Sequence, residues 1–492
     1  MEVLYKVAFS EPLGRYLIAS RNIKQGEIIM KEKPRLLGSQ IAAFPICFKC
    51  ASRIYTSSPP PCNECGLAPT CGQCQGTLHK KECIYMRKMK ENVSGMTLQF
   101  LCENPQVTMP LRCLLMKYYD QDFWKEFIQL ECHLKERRGT YIYNLHKYQV
   151  DKPLRDAKII QDLQDSDVHA DILPTICGIL DVNIFEVRPP QGVQGPEDCL
   201  RGLYLTPALM AHDCLCNTHL SVDDDFMMTI RASLPINEGD MITFSYTNGL
   251  QGNFDRQNHL QQGKYFTCAC RRCLDPTELN TGLSTLICPK CRHATMIFKH
   301  KQWQCPQCSK NYSNRMIRTT LALAKDKVSN ILEFGTLKNA KQLVSTLQRT
   351  LGTHHSLIIE VNQKIISLLS QEPDMTSTLE KIALCKDLSK ILQVLEPGIS
   401  RHQGIAQYEL HKAQTHLGKV QCNSSQITLD QYCSILKESE GILKGAIGHL
   451  IYEPKSTPEG RLAQKALTDL QVLRASVKDL EVKIQKNTKT HK

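Results

Sequence analysis

The stretch that decides the fold begins GLYLTPALMAHDCLCNTHLS, from Gly202 to Ser221. After an acidic turn it continues TIRASLPINEGDMITFSY, Thr229 to Tyr246, and closes on KYFTCACRRC, Lys264 to Cys273. Two runs within it, Met227–Ala232 and Met241–Tyr246, read as strands. The Asn237-Glu-Gly-Asp240 connection suits a tight turn, so the two runs are expected to lie as a strand pair. Cys268, Cys270 and Cys273 form a CxCxxC cluster. Three thiolates need a fourth ligand for tetrahedral zinc. Cys214, two positions beyond His212 and flanked by polar turn residues, is read as that ligand. The expectation is a strand pair whose edge is stapled by one metal to the flap that follows.

Working outward, residues 47–83 carry the densest metal signal. Cys47-x2-Cys50, Cys62-x2-Cys65, Cys71-x2-Cys74 and His79-x3-Cys83 supply eight nitrogen or sulfur ligands. That is enough for two closed tetrahedral sites. The segment has almost no apolar core of its own, so metal must hold it; a structural zinc supplies ~10–16 kcal/mol. Downstream, Cys288-x2-Cys291 and Cys305-x2-Cys308 make a four-cysteine ribbon with Trp303 beside the second knuckle. Most of the 24 cysteines fall into such clusters, and the N-terminus MEVLYKVAFSEPLGR does not read as an export signal. Zinc is therefore favoured over disulfides, in a reducing compartment, cytoplasm and nucleus. Four zinc ions are expected.

The 492 residues allow several domains with ample core. A hydrophobic content of 42% and a charged content of 22% describe an ordinary globular chain. No apolar run approaches the ~20 residues needed to span a bilayer, so no membrane partner is expected. The net charge of +12 is modest for the length. It and the basic cluster Lys80, Lys81, Arg87, Lys88, Lys90 read better as solvated faces than as a direct nucleic-acid surface. Gly14–Ala19, a turn at Asn22–Gly26 and Glu27–Met30 read as a β-hairpin. Residues 84–170 look helical and charged, with apolar positions such as Leu101, Leu114, Phe123 and Phe127. Residues 311–492 are helical, with apolar faces such as Ile358, Val361, Ile365, Leu368 and breaks at Gly352–His355, Gln371–Pro373, Pro397-Gly398 and Pro454–Gly460. Helix pairs at this spacing suggest a TPR-like array.

The Gly202–Cys273 stretch resembles the second half of a SET domain with its post-SET zinc cluster, and residues 47–83 resemble a MYND finger. A finger between two SET-like halves resembles the SET and MYND domain-containing (SMYD) family. The ribbon after the cysteine cluster resembles its divergent arthropod, SmydA-like branch. The resemblance implies an α+β fold. Its parts are a first SET segment (1–46), MYND finger (47–83), helical insert (84–170), SET core (171–250), post-SET cluster (251–275), zinc ribbon (276–312) and C-terminal TPR-like helical domain (313–492). It also implies that the finger's sites interleave, Cys47, Cys50, Cys71 and Cys74 on one ion, Cys62, Cys65, His79 and Cys83 on the other. The finger reads either as a module for proline-rich peptides or corepressors, or as a structural knob.

By the same resemblance the activity is methyl transfer from S-adenosylmethionine to a lysine amine of histone or other proteins, in transcriptional regulation. Such a site works largely by holding the amine and the methyl at attack distance. The positions that match are Arg15, Asn183, Ala211, His212, Tyr246 and Phe266 for the cofactor, with Tyr246 also the channel tyrosine that carries catalysis. Asn217 matches a structural asparagine. Three positions depart from the family pattern: Tyr16 replaces the second glycine of a Gly-x-Gly loop, Ala211 a cofactor-binding asparagine, and Lys264 a second channel tyrosine. A monomer acting on a protein substrate is one expectation. A catalytically degenerate adaptor, presenting finger and helices to protein partners, is the alternative.

Overall fold

The computed structural model describes residues 3–11, 13–39, 44–159, 171–189, 199–292, 294–299, 302–371 and 374–490. Alternation sets the first hairpin: β1 (Tyr5–Ser10) pairs antiparallel with β2 (Gly14–Ala19), Leu17 and Ala19 turning inward while Val7 and Phe9 face water. Gly14, at φ +66°, makes the turn. The expected pairing of Gly14–Ala19 with Glu27–Met30 is corrected. β3 (Ile28–Glu32) leaves β2 and pairs with a strand some two hundred positions on.

That long-range pairing organises the core. β4 (Leu36–Ser39) and β5 (Ile184–Val187) flank β6 (Leu200–Leu203), all antiparallel. β7 (Ala211–His212) is followed by the hairpin of β8 (Thr218–Val222) and β9 (Met228–Ala232), and β3 adds to the outer side of β9. β10 (Thr243–Phe244) runs parallel to β7. β3 and β4, from before the finger, thus find their partners after the helical insert, so the finger and insert form one excursion between β4 and β5. Leu17, Ile23, Leu200, Tyr204, Met228, Ile230 and Ile242 fill the shared core.

The Asn237–Asp240 turn forms, with Gly239 at φ +83° and Asp240 N–H donating to Asn237 O at 3.1 Å. The runs on either side of it do not pair with each other, which corrects the expected strand pair. Ile236 bridges Ile23, Met241 bridges Ile18, and Ile242 N–H donates to Leu17 O at 2.9 Å. Burying Ile236 and Ile242 against the N-terminal strands outweighs the local hairpin.

The helical insert includes Pro105–Tyr119 and Gln121–Phe127, and the helix Ile172–Asn183 follows it at the start of the next segment; positions 160–170 lie outside the described residues. Its Leu101, Leu114, Phe123 and Phe127 pack in one cluster with Phe48, Leu67 and Met86 from in and just after the finger. The finger's few apolar residues therefore do find a core, but a borrowed one. After the ribbon strands β11 (Leu286–Ile287), β12 (Thr295–Lys299), β13 (Gln302–Gln304) and β14 (Asn311–Tyr312), the chain is helical. The helices end at Leu347, Leu369, Leu395 and Leu450, beside the expected breaks. A further break at Ser424–Thr428 has a capping box, Thr428 with Gln431, that periodicity alone did not mark. No helix among the described residues is long and apolar enough to cross a membrane.

Candidate metal centres and a candidate active site

Turns built on CxxC steps aim both sulfurs of each pair inward, and the fold brings the pairs together in four sets. Cys47, Cys50, Cys71 and Cys74 form one, with Sγ atoms of Cys47 and Cys74 at 3.6 Å and of Cys50 and Cys71 at 3.9 Å. Cys62, Cys65, His79 and Cys83 form the second, with Cys62 and Cys83 at 3.8 Å and Cys65 Sγ 3.3 Å from His79 Nε2. Cys214 joins Cys268, Cys270 and Cys273, its Sγ 3.5 Å from that of Cys273. Cys288, Cys291, Cys305 and Cys308 complete the series at 3.8 and 3.7 Å. Four sulfurs at ~2.3 Å around one tetrahedral zinc stand about 3.8 Å apart, so the donor sets fit zinc in type, number and spacing.

Groups that sequence reasoning missed hold these ligands in place. His79 Nδ1–H donates to Glu82 at 2.8 Å, which fixes Nε2 toward the metal. The other oxygen of Glu82 accepts from Arg112 Nε at 2.8 Å, and Arg112 also donates to Leu37 O at 2.9 Å. Burial alone would raise the Glu82 carboxyl, but Arg112 and His79 hold it below its usual range. Under the third set, Arg256 donates to Cys273 Sγ at 3.5 Å and shares Glu278 with Arg272. The His-x-x-Glu step is visible in sequence, whereas Arg112 and Glu278 reach their partners only through the fold.

A second site lies beside the third metal set. His212 Nδ1 accepts from Tyr246 N–H at 3.0 Å, so its proton sits on Nε2, 3.3 Å from Cys214 Sγ. Burial pulls its pKa down to about 4, which keeps the ring neutral. The ring lies 5.1 Å from that of Tyr246 and 5.9 Å from that of Phe266. Tyr246 donates its hydroxyl to Met210 O at 2.6 Å, and burial pushes its pKa up to about 12. Lys264, at the end of helix Asn253–Gly263, sets its Nζ 5.3 Å over the Tyr246 ring and donates to Val182 O. Enclosed there with Asp181 only a weaker influence, its ammonium is pulled by burial down to about 8.

Of the expected cofactor residues, the structure brings His212, Tyr246 and Phe266 together, with Ala211 next to them in β7. Asn183 adjoins Val182 but is buried, and its amide donates to Glu131 O and Ile179 O, both at 2.8 Å. Arg15 is likewise engaged with the insert, donating to Gln129 O at 2.9 Å. Asn217 accepts from Thr243 N–H and donates to Met241 O, both at 2.8 Å, clamping β10 to the start of β8. The Tyr246 ring and the Val182 carbonyl, which already hold one cation, the Lys264 ammonium, also suit a sulfonium.

A SET domain family model matches residues 14–247. SET domain-containing protein SmydA-8, isoform A, of Drosophila melanogaster is 24% identical over 374 residues, 74% of this chain and 77% of its own. Histone-lysine N-methyltransferase ASHR1 of Arabidopsis thaliana is 21% identical over 460 residues, 87% of this chain and 90% of its own. The crystal structure of the SET domain of LSMT bound to lysine and AdoHcy covers 80% of this chain and 85% of its own at 11% identity, with a TM-score of 0.29, too loose a likeness to carry geometry.

Proposed function

The chain belongs to the SET and MYND domain-containing family, and on that premise we propose that it is a protein-lysine N-methyltransferase using S-adenosylmethionine. The observation that carries this is the ring set of His212, Tyr246 and Phe266, whose Tyr246 face holds a lysine amine, here the chain's own Lys264. Bound S-adenosylmethionine would supply an electrophilic methyl on a sulfonium. The chain's part is positional. Tyr246, its hydroxyl proton committed to Met210 O, keeps oxygen lone pairs free to accept from an amine and align it. Neutral His212 braces the Tyr246 backbone and adds no charge. Val182 O accepts an amine proton. Lys264 loses charge as pH rises through about 8 and with it the cation's hold on the Tyr246 ring. Histone or other protein lysines are the proposed substrates, and proline-rich or corepressor partners at the finger belong to the same proposal.

The test is transfer of labelled methyl to mixed histones and to a lysate by the zinc-loaded protein. Transfer that Tyr246→Phe lowers by about a hundredfold or more supports the reading. Transfer untouched by that substitution contradicts it.

A second reading, the non-catalytic adaptor, is favoured by the Asn183 amide, both of whose N–H groups are spent on Glu131 O and Ile179 O, and by Arg15, whose guanidinium is turned to Gln129. It predicts no methyl transfer at any pH. It also predicts capture of protein partners that Tyr246→Phe leaves intact and Cys62→Ser destroys.

A further inference from the structure

A cleft of about 600 Å3 opens where the finger meets the β-core, and none of the residues assigned to methyl transfer lines it. Its walls are the chain from Lys31 to Leu37, Leu78 and Lys81 of the finger, and Arg112 and Asp120 of the insert. The walls are fixed to one another. Arg112 joins Leu37 O to Glu82 and so to His79, and Arg35 pairs with Asp120 at 2.7 Å. Glu32 turns its carboxylate inward, accepting Leu205 N–H at 2.7 Å and Thr206 N–H at 3.2 Å.

What remains at the opening is unbalanced. Lys31, Lys33 and Lys81 are exposed and meet no carboxylate among the described residues. Beside them Leu78 stands 41% exposed, an apolar side chain left in water among cations. Among the described residues β3 is the outer strand of its sheet, paired only with β9, so the backbone along Lys31 and Glu32 keeps an edge with no partner strand there. We propose that this cleft binds an extended acidic peptide segment of a protein partner. Its carboxylates would meet Lys31, Lys33 and Lys81, an apolar side chain would cover Leu78, and its backbone would follow the β3 edge. A peptide suits the lining better than a phosphate track, because Asp120 and Glu126 also face the cleft and would repel unbroken negative charge.

The test is fluorescence anisotropy of the full-length, zinc-loaded protein with a fluorescein-labelled peptide alternating glutamate and leucine. Its glutamine–leucine counterpart and a short DNA duplex serve as the other probes. Saturable binding of the glutamate peptide is expected. It should weaken about tenfold when Lys31→Glu, Lys33→Glu and Lys81→Glu are combined. Leu78→Asp, a second and independent variant, should weaken it comparably, with melting temperature and zinc content unchanged in both. Lys264→Met should bind the peptide as the unsubstituted chain does, which separates this proposal from the methyl-transfer reading. Equal binding by the triple variant, equal binding of the glutamine peptide, or loss in Lys264→Met would overturn the proposal. So would a duplex that displaces the peptide and depends on the same lysines, which would assign the cleft to nucleic acid.

Discussion

The finger and the ribbon use the same device, paired cysteine knuckles on zinc, and differ in how the metal is tied to the rest of the chain. The ribbon rests on apolar contact: Leu286, Met296 and its cysteines pack with Ile317, Ala324, Val328 and Leu347 of the following helices. The finger adds a buried polar relay, His79 to Glu82 to Arg112 to Leu37 O, that runs from a metal ligand into strand β4. A ribbon that loses zinc should fail locally. A finger that loses zinc should take the insert and one edge of the β-core with it.

Cys65→Ser sharpens the contrast most. A structural zinc contributes ~10–16 kcal/mol, as much as the whole stability of a typical domain. The variant should bind one zinc fewer by native mass spectrometry and expose the insert, residues 84–159, to limited proteolysis. Cys291→Ser should also lose one zinc yet leave the insert protected. Equal proteolysis of the insert in both variants would break the comparison.

Glu82→Gln leaves every ligand in place and cuts only the relay. Arg112, 5% exposed, would then be a buried charge without its carboxylate. The expected cost is about 3–5 kcal/mol, read as a lowered denaturant midpoint at unchanged zinc content. A midpoint within experimental error of the parent would show that apolar packing alone carries the finger.

Lys264→Met tests the aromatic site by pH. The folded pKa of about 8 lies below the unfolded ~10.4, so the unfolded chain binds more protons between those values and the parent's stability rises with pH across that window. The variant lacks this term. It should be more stable by about 3 kcal/mol below pH ~8, with the advantage shrinking to nothing above ~10.4. A constant difference across the range would remove the buried-ammonium account. Tyr246→Phe is the mildest: losing the bond to Met210 O costs about 1 kcal/mol in thermal unfolding, far less than its expected effect on methyl transfer.

The metal sets were legible because zinc ligands sit a few residues apart and the chemistry admits few donors. His79 with Glu82 could have been read from their spacing, but Arg112 arrives from the insert and Leu37 from β4, and no local pattern joins them. The same physics explains the misread strands. Asn237–Asp240 is a sound turn signal, yet Ile236 and Ile242 gain more by burying against Ile23 and Leu17 than by facing each other's strand. At the aromatic site, His212, Tyr246 and Phe266 were readable through family resemblance. That Lys264 lies over the Tyr246 ring, and that Asn183 spends its amide on Glu131 and Ile179, follows only from where helices Asn253–Gly263 and Ile172–Asn183 end.

Calorimetric titration of S-adenosylmethionine into the zinc-loaded chain, near pH 8 and beside Lys264→Met, goes straight to the claim that this ring set accepts a sulfonium donor. Saturable binding at one site per chain, tightened when Lys264 is replaced, is the predicted result. No heat of binding in either protein, with all zinc retained, would contradict it and leave the adaptor reading in its place.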